Sequence, residues 1–319
     1  MTERPAGPTG AAAARRRQLL RLADPRGIVA GIAIDHRDSL GVALERRGLP
    51  RATTAELRTL KLRLARALAP AASAIMLDEE LGGLALDEGA VPPSVGLIMP
   101  LEGQGYEAAG DGRTTTLMDD FSPADALRRG AAACKLLVPY RVDDESSAGR
   151  QDAVVSRAVA SCHDLGLPLV LEPLVYRWST ETPAAYAERY TDLVLDAVRR
   201  LQPLGADLLK LPFPVRDEAS GGEAAALDTC RGLDEACHGT PWVLLGAGAE
   251  TPVFVEQIRL AGTAGASGFL AGRGIWGAAL TAERGDAERI AATVCRPDLE
   301  RCRATAERFA RPLPDATAG

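Results

Sequence analysis

Lysine is almost absent from this 319-residue chain. Of its 37 basic residues only Lys61, Lys135 and Lys210 are lysines. Arg cannot lose its proton inside a protein and Lys can, so a chain that writes Arg wherever a cation suffices keeps Lys where an amine is needed. A biased base composition gives the same scarcity, so the count marks positions without assigning roles. The chain also has no long apolar run. The longest, such as Leu167–Val175, are strand-sized and interrupted, and no apolar segment follows the N-terminal charges, so neither a membrane span nor a signal peptide is expected. A net charge of −6 and a pI near 5.3 leave no electrostatic footprint for nucleic acid. The one dense basic run, Arg15–Arg17, follows a Gly/Ala/Pro-rich leader.

Metal chemistry is poorly supplied. Only three histidines occur, with no HxH or HxxxH pair, so a zinc site is not expected. His163 and His238 read as surface residues at helix ends. A magnesium site built from Asp35, Asp78 and Glu172 is the remaining metal alternative; the expectation is no metal and no cofactor. Six cysteines, at 134, 162, 230, 237, 295 and 302, form no CxxC pair, which fits reduced thiols in a cytoplasmic protein.

What is present is an ordinary globular composition, 46% hydrophobic and 25% charged, in a chain long enough to bury roughly 75% of its unfolded surface. Disorder and fibres are excluded for the bulk of it. Residues 1–14 read as a disordered leader and 15–310 as one domain that opens on a short helix in ARRRQLLRLA; 311–319 read as a tail. Eight β-type runs follow: 27–34, 74–78, 95–100, 134–140, 167–176, 206–213, 241–248 and 268–273. Helical patterns separate them, several with start signals: a capping box at Thr53-Thr54-Ala55-Glu56, and caps before proline at Ser122-Pro123 and Thr251-Pro252. Gly265 ends the helix that starts at 251. No repeat of 20–50 residues and no Ser/Gly linker divides the chain. Eight strands alternating with helices over about 250 residues predict a closed (β/α)8 TIM barrel. A doubly wound sheet fits less well, since no GxGxxG follows the first strand. Segment 79–94 strains the pattern, being short and Gly/Pro-rich for a crossover helix.

Active sites of such barrels form at the C-terminal strand ends. Those positions hold Asp35, His36 and Arg37, then Asp78, Glu102, Lys135, Glu172, Lys210, Gly246 and Gly248, and last Gly272 and Arg273. Lys210 lies among Leu208, Leu209, Leu211 and Phe213, so its charge must face the barrel mouth or be paired. Desolvation and a second cation, Lys135, would lower its pKa and make a nucleophilic amine. Glu172 sits on the strand between the two. A carboxylate and two amines at one mouth suit Schiff-base chemistry; a structural Lys–Glu–Lys ion network is the equal alternative on these residues alone. Gly246, Gly248, Gly272 and Arg273 close the last two strands, where phosphate is often held by backbone N–H groups. Lys61, in the amphipathic stretch LRTLKLRLARAL, reads as a helix-surface cation that Arg could replace.

Segments spread along the chain resemble the class I aldolase family of tagatose-1,6-bisphosphate aldolase and sulfofructose-phosphate aldolase. They are AIDHRDSL (33–40), IMLDEELG (75–82), GLIMPLEGQGYE (96–107), CKLLVPYRVDD (134–144), VLEPLVY (170–176), LLKLPFP (208–214), PWVLLGAGAETPVF (241–254) and AGASGFLAGRGIW (264–276), in the family's order. The last two resemble the sulfosugar branch more closely. The resemblance implies Lys210 as the Schiff-base residue, Glu172 as proton shuttle, Lys135 as second amine and Asp35 as polar partner. It implies phosphate at Gly248, Gly272 and Arg273, and substrate contacts at His36 and Gly246, where the family usually has Gln and Ser. Arg37, Arg141 and Arg177 are candidates for a second anionic group, with solvated loop cations as the alternative. The implied reaction is metal-independent cleavage or formation of a C–C bond in a ketose phosphate or sulfo-ketose phosphate, giving dihydroxyacetone phosphate and an aldehyde. A metal-assisted lyase or isomerase and a non-catalytic sugar-phosphate sensor are the alternatives. Expected partners are a small sugar phosphate and further copies of the chain, as such barrels often pair.

Overall fold

The computed structural model describes residues 10–45, 50–216, 222–280 and 286–314. Eight parallel strands close a barrel: β1 (Val29–Ala33), β2 (Ala74–Met76), β3 (Gly96–Pro100), β6 (Ala133–Tyr140), β7 (Leu169–Val175), β8 (Leu208–Pro212), β9 (Trp242–Leu245) and β10 (Gly268–Ala271). They run in that order around the barrel, and β10 pairs back onto β1 with Val29 opposite Gly268. The fold is a (β/α)8 TIM barrel; seven of the eight strands fall inside runs expected from the sequence, and β6 starts one residue before its run, at Ala133. Between β3 and β6 the chain adds a polar two-stranded hairpin, β4 (Glu107–Ala109) and β5 (Gly112–Thr114), that the sequence patterning does not announce.

Because side chains alternate across a strand, every second residue enters the barrel. Val29 and Ala33, Ala74 and Met76, Val170, Leu208, Val243 and Leu270 fill the interior as one apolar cluster. The other parity packs against the helices. The long ones are α3 (Thr54–Leu68), α6 (Glu145–His163), α7 (Pro183–Leu201), α8 (Gly222–Ala236) and α9 (Thr251–Ala264). Expected caps hold at Thr53, whose side chain and Glu56 satisfy each other's backbone N–H groups, and at Ser122. Thr251 does not cap: α9 starts on it, and Glu250 occupies the cap position with no side-chain bond. Segment 79–94 does contain a helix, Glu79–Asp87. Asp78 caps it by accepting from Leu81 N, and Glu79 and Glu80 lie in its first turn, so capping and helix-dipole charges offset its two glycines.

The lower end of the barrel is plugged. An N-terminal helix, Gly10–Leu20, runs under it, so residues 10–14 are helical rather than part of a disordered leader; residues 1–9 lie outside the described part. Arg15 Nε donates to Asp207 Oδ1 at 3.2 Å, and Leu22 is fully buried. The chain's far end joins the same plug. Leu313 N donates to Gly27 O at 2.8 Å and its side chain is buried, so the domain extends to 314 rather than ending at 310. The assumed tail beyond 314 lies outside the described residues. No helix among the described residues is long and apolar enough to cross a membrane.

Candidate active site

The same alternation that buries the apolar cluster places the polar side chains one level higher. Val170 is followed two residues on by Glu172, Leu208 by Lys210, and Ala133 by Lys135. From β1 the parity continues past the strand end through Ala33 to Asp35. These residues, with Glu102 and Arg273, border a cavity of about 430 Å³ at the C-terminal end of the barrel.

Lys210 Nζ donates to Glu172 Oε2 at 2.9 Å, and Lys135 Nζ stands 3.5 Å from that same oxygen. Lys135 also donates to Asp35 Oδ2 at 2.9 Å and to Glu102 Oε1. One ammonium thus meets three carboxylates. Burial by itself would lower its pKa, but Asp35, Glu102 and Glu172 together hold it well above the ordinary lysine range. Lys135 is therefore a fixed cation, and not the deprotonatable amine that its rarity suggests. Asp35 shows the reverse balance. Burial would raise its carboxyl, and the opposing charge and hydrogen bond of Lys135 outweigh that and keep it ionised.

Glu102 is the residue that sequence reasoning placed at a strand end without giving it a role. Its Oε2 accepts from Leu137 N at 3.2 Å and its carbonyl accepts from Arg37 Nη2 at 2.6 Å, which ties the Lys135 ammonium to the mouth. Burial lifts its carboxyl above the ordinary 4.5; Lys135 opposes the rise and Asp35 adds to it. A carboxyl with a raised pKa stabilises the fold while protonated, and that contribution is lost as pH rises through the raised value. Glu102→Gln cannot titrate. We predict that wild type loses stability relative to this variant as pH rises above the ordinary glutamate range in urea unfolding; parallel pH curves would show that burial does not raise the Glu102 carboxyl.

The opposite wall is backbone. Ala247 and Gly248 take left-handed conformations, φ 45° and 82°, at the turn leaving β9. A non-glycine residue held there costs on the order of 1 kcal/mol, and such strain is often kept at binding loops. Helix α10 (Arg273–Leu280) begins against that turn so closely that a Cβ on Gly274 would lie 2.2 Å from Ala249 O. Gly248, Gly272 and Arg273 line the cavity, where N–H groups, a helix start and a guanidinium suit an anion. Removing the Arg273 charge by Arg273→Ala is expected to raise KM for a phosphorylated ketone by about tenfold to a hundredfold, from roughly 1.5–3 kcal/mol of charge-assisted bonding. Its unphosphorylated counterpart should be unaffected, and equal effects on both in steady-state kinetics would move the anion elsewhere.

His36 completes this wall. Its ring meets Trp276 edge-on at 5.3 Å between centroids, and Trp276 Nε1 donates to Ala33 O at 2.9 Å. Burial, resisted by Asp35, pushes the imidazole down to about 3, so it is neutral at working pH.

The structure corrects several readings of the sequence. Arg141 is fully buried outside the cavity. Its Nε, Nη1 and Nη2 donate to Asp143, Glu181 and Tyr176 O at 2.7–2.9 Å, and it stacks at 4.0 Å over Trp178. Its donors are all committed, leaving none for a substrate anion. Gly246 lies behind the lining: a Cβ there would meet Ala271 Cα and Gly272 N at 3.3 Å. Asp78 does not join Asp35 and Glu172, because it pairs with Lys61 and caps the helix after β2. Lys61 is no surface cation; its side chain is 0% exposed. Arg37 does line the mouth, whereas Arg177 is turned to the carbonyls of Trp178 and Glu181. Among the described residues no group of three or more His, Cys, Asp or Glu side chains is arranged to hold a metal ion, and all six cysteines are free and buried.

Comparison with known proteins adds to this geometry. A family profile described as "DeoC/LacD family aldolase" matches residues 31–278. The chain belongs to the DeoC/LacD aldolase family. Relatives of this aldolase include tagatose 1,6-diphosphate aldolase 1 of Streptococcus pyogenes serotype M3, 31% identical over 279 residues covering 82% of this chain and 85% of the relative. The corresponding Enterococcus faecalis protein is 30% identical over 278 residues, covering 82% and 84%. Among solved structures, fructose-bisphosphate aldolase from Plasmodium falciparum superposes with a TM-score of 0.70 at 13% identity, covering 95% and 97%. An archaeal fructose-1,6-bisphosphate aldolase, whose catalytic Lys was captured bound to a carbinolamine intermediate, superposes at 0.57 with 18% identity, covering 92% and 98%. These structural likenesses, at such identities, speak for the fold. The aldolase is thus an aldehyde-lyase on a TIM barrel.

Proposed function

We propose that this aldolase works through a Schiff base on Lys210 and cleaves or forms a C–C bond in a ketose phosphate or sulfo-ketose phosphate. The observation that carries the reading is the 2.9 Å contact of Lys210 Nζ with Glu172 inside the mouth, beside the fixed Lys135 cation. It is supported by the tagatose-diphosphate aldolases at 30–31% identity and by the covalent lysine intermediate of the archaeal neighbour.

The steps follow from the placement of the groups. Lys210 gives a proton to Glu172 along their hydrogen bond and, as the free amine, adds to the ketone carbon; Glu172 delivers that proton to the carbonyl oxygen and takes a second one from the attached nitrogen, giving a carbinolamine and a protonated Glu172. Glu172, protonated, then gives its proton to the departing hydroxyl, which leaves as water, and the nitrogen lone pair forms the iminium. A carboxylate at the mouth takes the proton of the hydroxyl two carbons from the iminium carbon. The bond joining that hydroxyl carbon to the carbon next to the iminium breaks, its electrons entering the iminium to form an enamine while the hydroxyl carbon leaves as aldehyde. Protonation of the enamine carbon and addition of water return Lys210 and release dihydroxyacetone phosphate. Lys135 stays charged throughout, holding Asp35 ionised and steering Glu172 by its attraction. The cradle of Gly248, Gly272 and Arg273 takes the phosphate.

Incubation with dihydroxyacetone phosphate and borohydride, followed by peptide mapping, tests the reading. A reduced adduct at Lys210 and turnover that survives EDTA are expected. Absence of an adduct together with loss of turnover in EDTA would overturn it in favour of metal-assisted cleavage.

A further inference from the structure

His36 Nδ1 is buried and has no hydrogen-bond partner. A neutral, buried polar atom left in this state is uncommon and asks for an explanation. The Asp35 carboxylate faces it, with Oδ1 at 3.8 Å, while the other oxygen of that carboxylate is held by Lys135. A carboxylate facing Nδ1 assigns the single ring proton of the neutral imidazole to Nδ1 and leaves Nε2 as a lone-pair acceptor. The Cε1–Nε2 edge borders the anion cradle: a Cβ built on Gly272 would stand 3.6 Å from Cε1 and 3.9 Å from Nε2. The Trp276 contact fixes the ring in this setting.

An acceptor between a phosphate cradle and a reacting carboxylate repels anionic oxygens and welcomes an O–H donor. If the phosphate sits at Gly272 and Arg273 and the ketone carbon on Lys210, the three-carbon donor half spans the gap. The one free hydroxyl on that half is carried by the carbon that becomes the nucleophile. We infer that His36 Nε2 accepts a hydrogen bond from this hydroxyl, which makes His36 the residue that selects dihydroxyacetone phosphate over ketone phosphates lacking it. The inference rests on the Schiff-base reading above and adds the choice of donor to it.

The test uses the full chain with two probes, dihydroxyacetone phosphate and acetol phosphate, in which hydrogen replaces that hydroxyl. The readout is the concentration of each that half-saturates the borohydride-trapped adduct. Wild type is expected to favour dihydroxyacetone phosphate by about tenfold or more, the effect of leaving a buried acceptor unpaired. His36→Leu should erase the preference by weakening dihydroxyacetone phosphate alone. His36→Gln, whose amide oxygen can still accept, should keep part of it and serves if the leucine variant does not fold. A preference that persists in both variants, or a loss shared equally by both probes, overturns the role of His36. No adduct with either probe in wild type counts against the Schiff base itself, whereas equal adducts with both count only against His36.

Discussion

Lys210→Met should lose the borohydride-trapped adduct altogether and lower turnover by about 10³-fold or more, because the covalent route itself disappears. Met is the informative replacement. It keeps an unbranched side chain in a tightly packed strand, with Leu208, Leu209 and Leu211 all buried around it, so cavity effects stay small. It also removes one of the two lysine nitrogens facing Glu172, leaving that carboxylate with Lys135 at 3.5 Å. The fold should therefore survive, as thermal unfolding of the variant would show. A stable Lys210→Met protein that still forms an adduct on another lysine would transfer the role, and the candidates are few. The described lysines number three, and Lys61 has no access to the cavity while Lys135 is held charged by three carboxylates. Wild-type turnover in the variant would end the Schiff-base reading.

The strands and their inward parity were legible because buried parallel strands are written as short β-rich runs between capped helices, and one polar residue in such a run has one way to be accommodated. Lys135, Glu172 and Lys210 were readable on those grounds. Arg141 was not. Its parity continues that of Lys135 and would send it into the mouth, but the strand ends at Tyr140 and the guanidinium is captured by Glu181, forty residues later. No local pattern reports such a partner. The β4–β5 hairpin escaped for another reason: EAAGDGRT lacks the alternating apolar residues that mark a strand, and the hairpin is held instead by contacts such as Arg113 over Tyr176 at 4.3 Å. Glu102 was visible at its strand end, yet only the three-dimensional approach of Lys135 gives it a role. Lys61 could have been placed correctly. It lies four residues after Leu57 and three before Leu64, on the buried stripe of its helix, and a lysine on an apolar face implies a buried partner.

Lys61→Met is accordingly expected to cost about 3–5 kcal/mol of stability, the usual result of removing one partner of a buried ion pair and stranding the other. Lys61 and Asp78 are 0% and 1% exposed, and they join α3 to the helix that follows β2. Burial tends to discharge Lys61, and Asp78 opposes it. Without the ammonium, Asp78 Oδ1 would face an apolar interior with no partner, although Oδ2 would keep the Leu81 N–H at 2.8 Å. The alternative, that the loss comes from packing alone, is separable by a second change. Lys61→Met with Asp78→Asn removes the stranded charge while an amide oxygen can still cap the helix, so the double variant should recover a large part of the loss in urea unfolding. Equal stability of the single and double variants would show that the charge pair contributes nothing beyond shape. Lys61→Arg should also destabilise, by about 1–3 kcal/mol from overpacking a closed site, which would explain why a chain this rich in arginine keeps a lysine here.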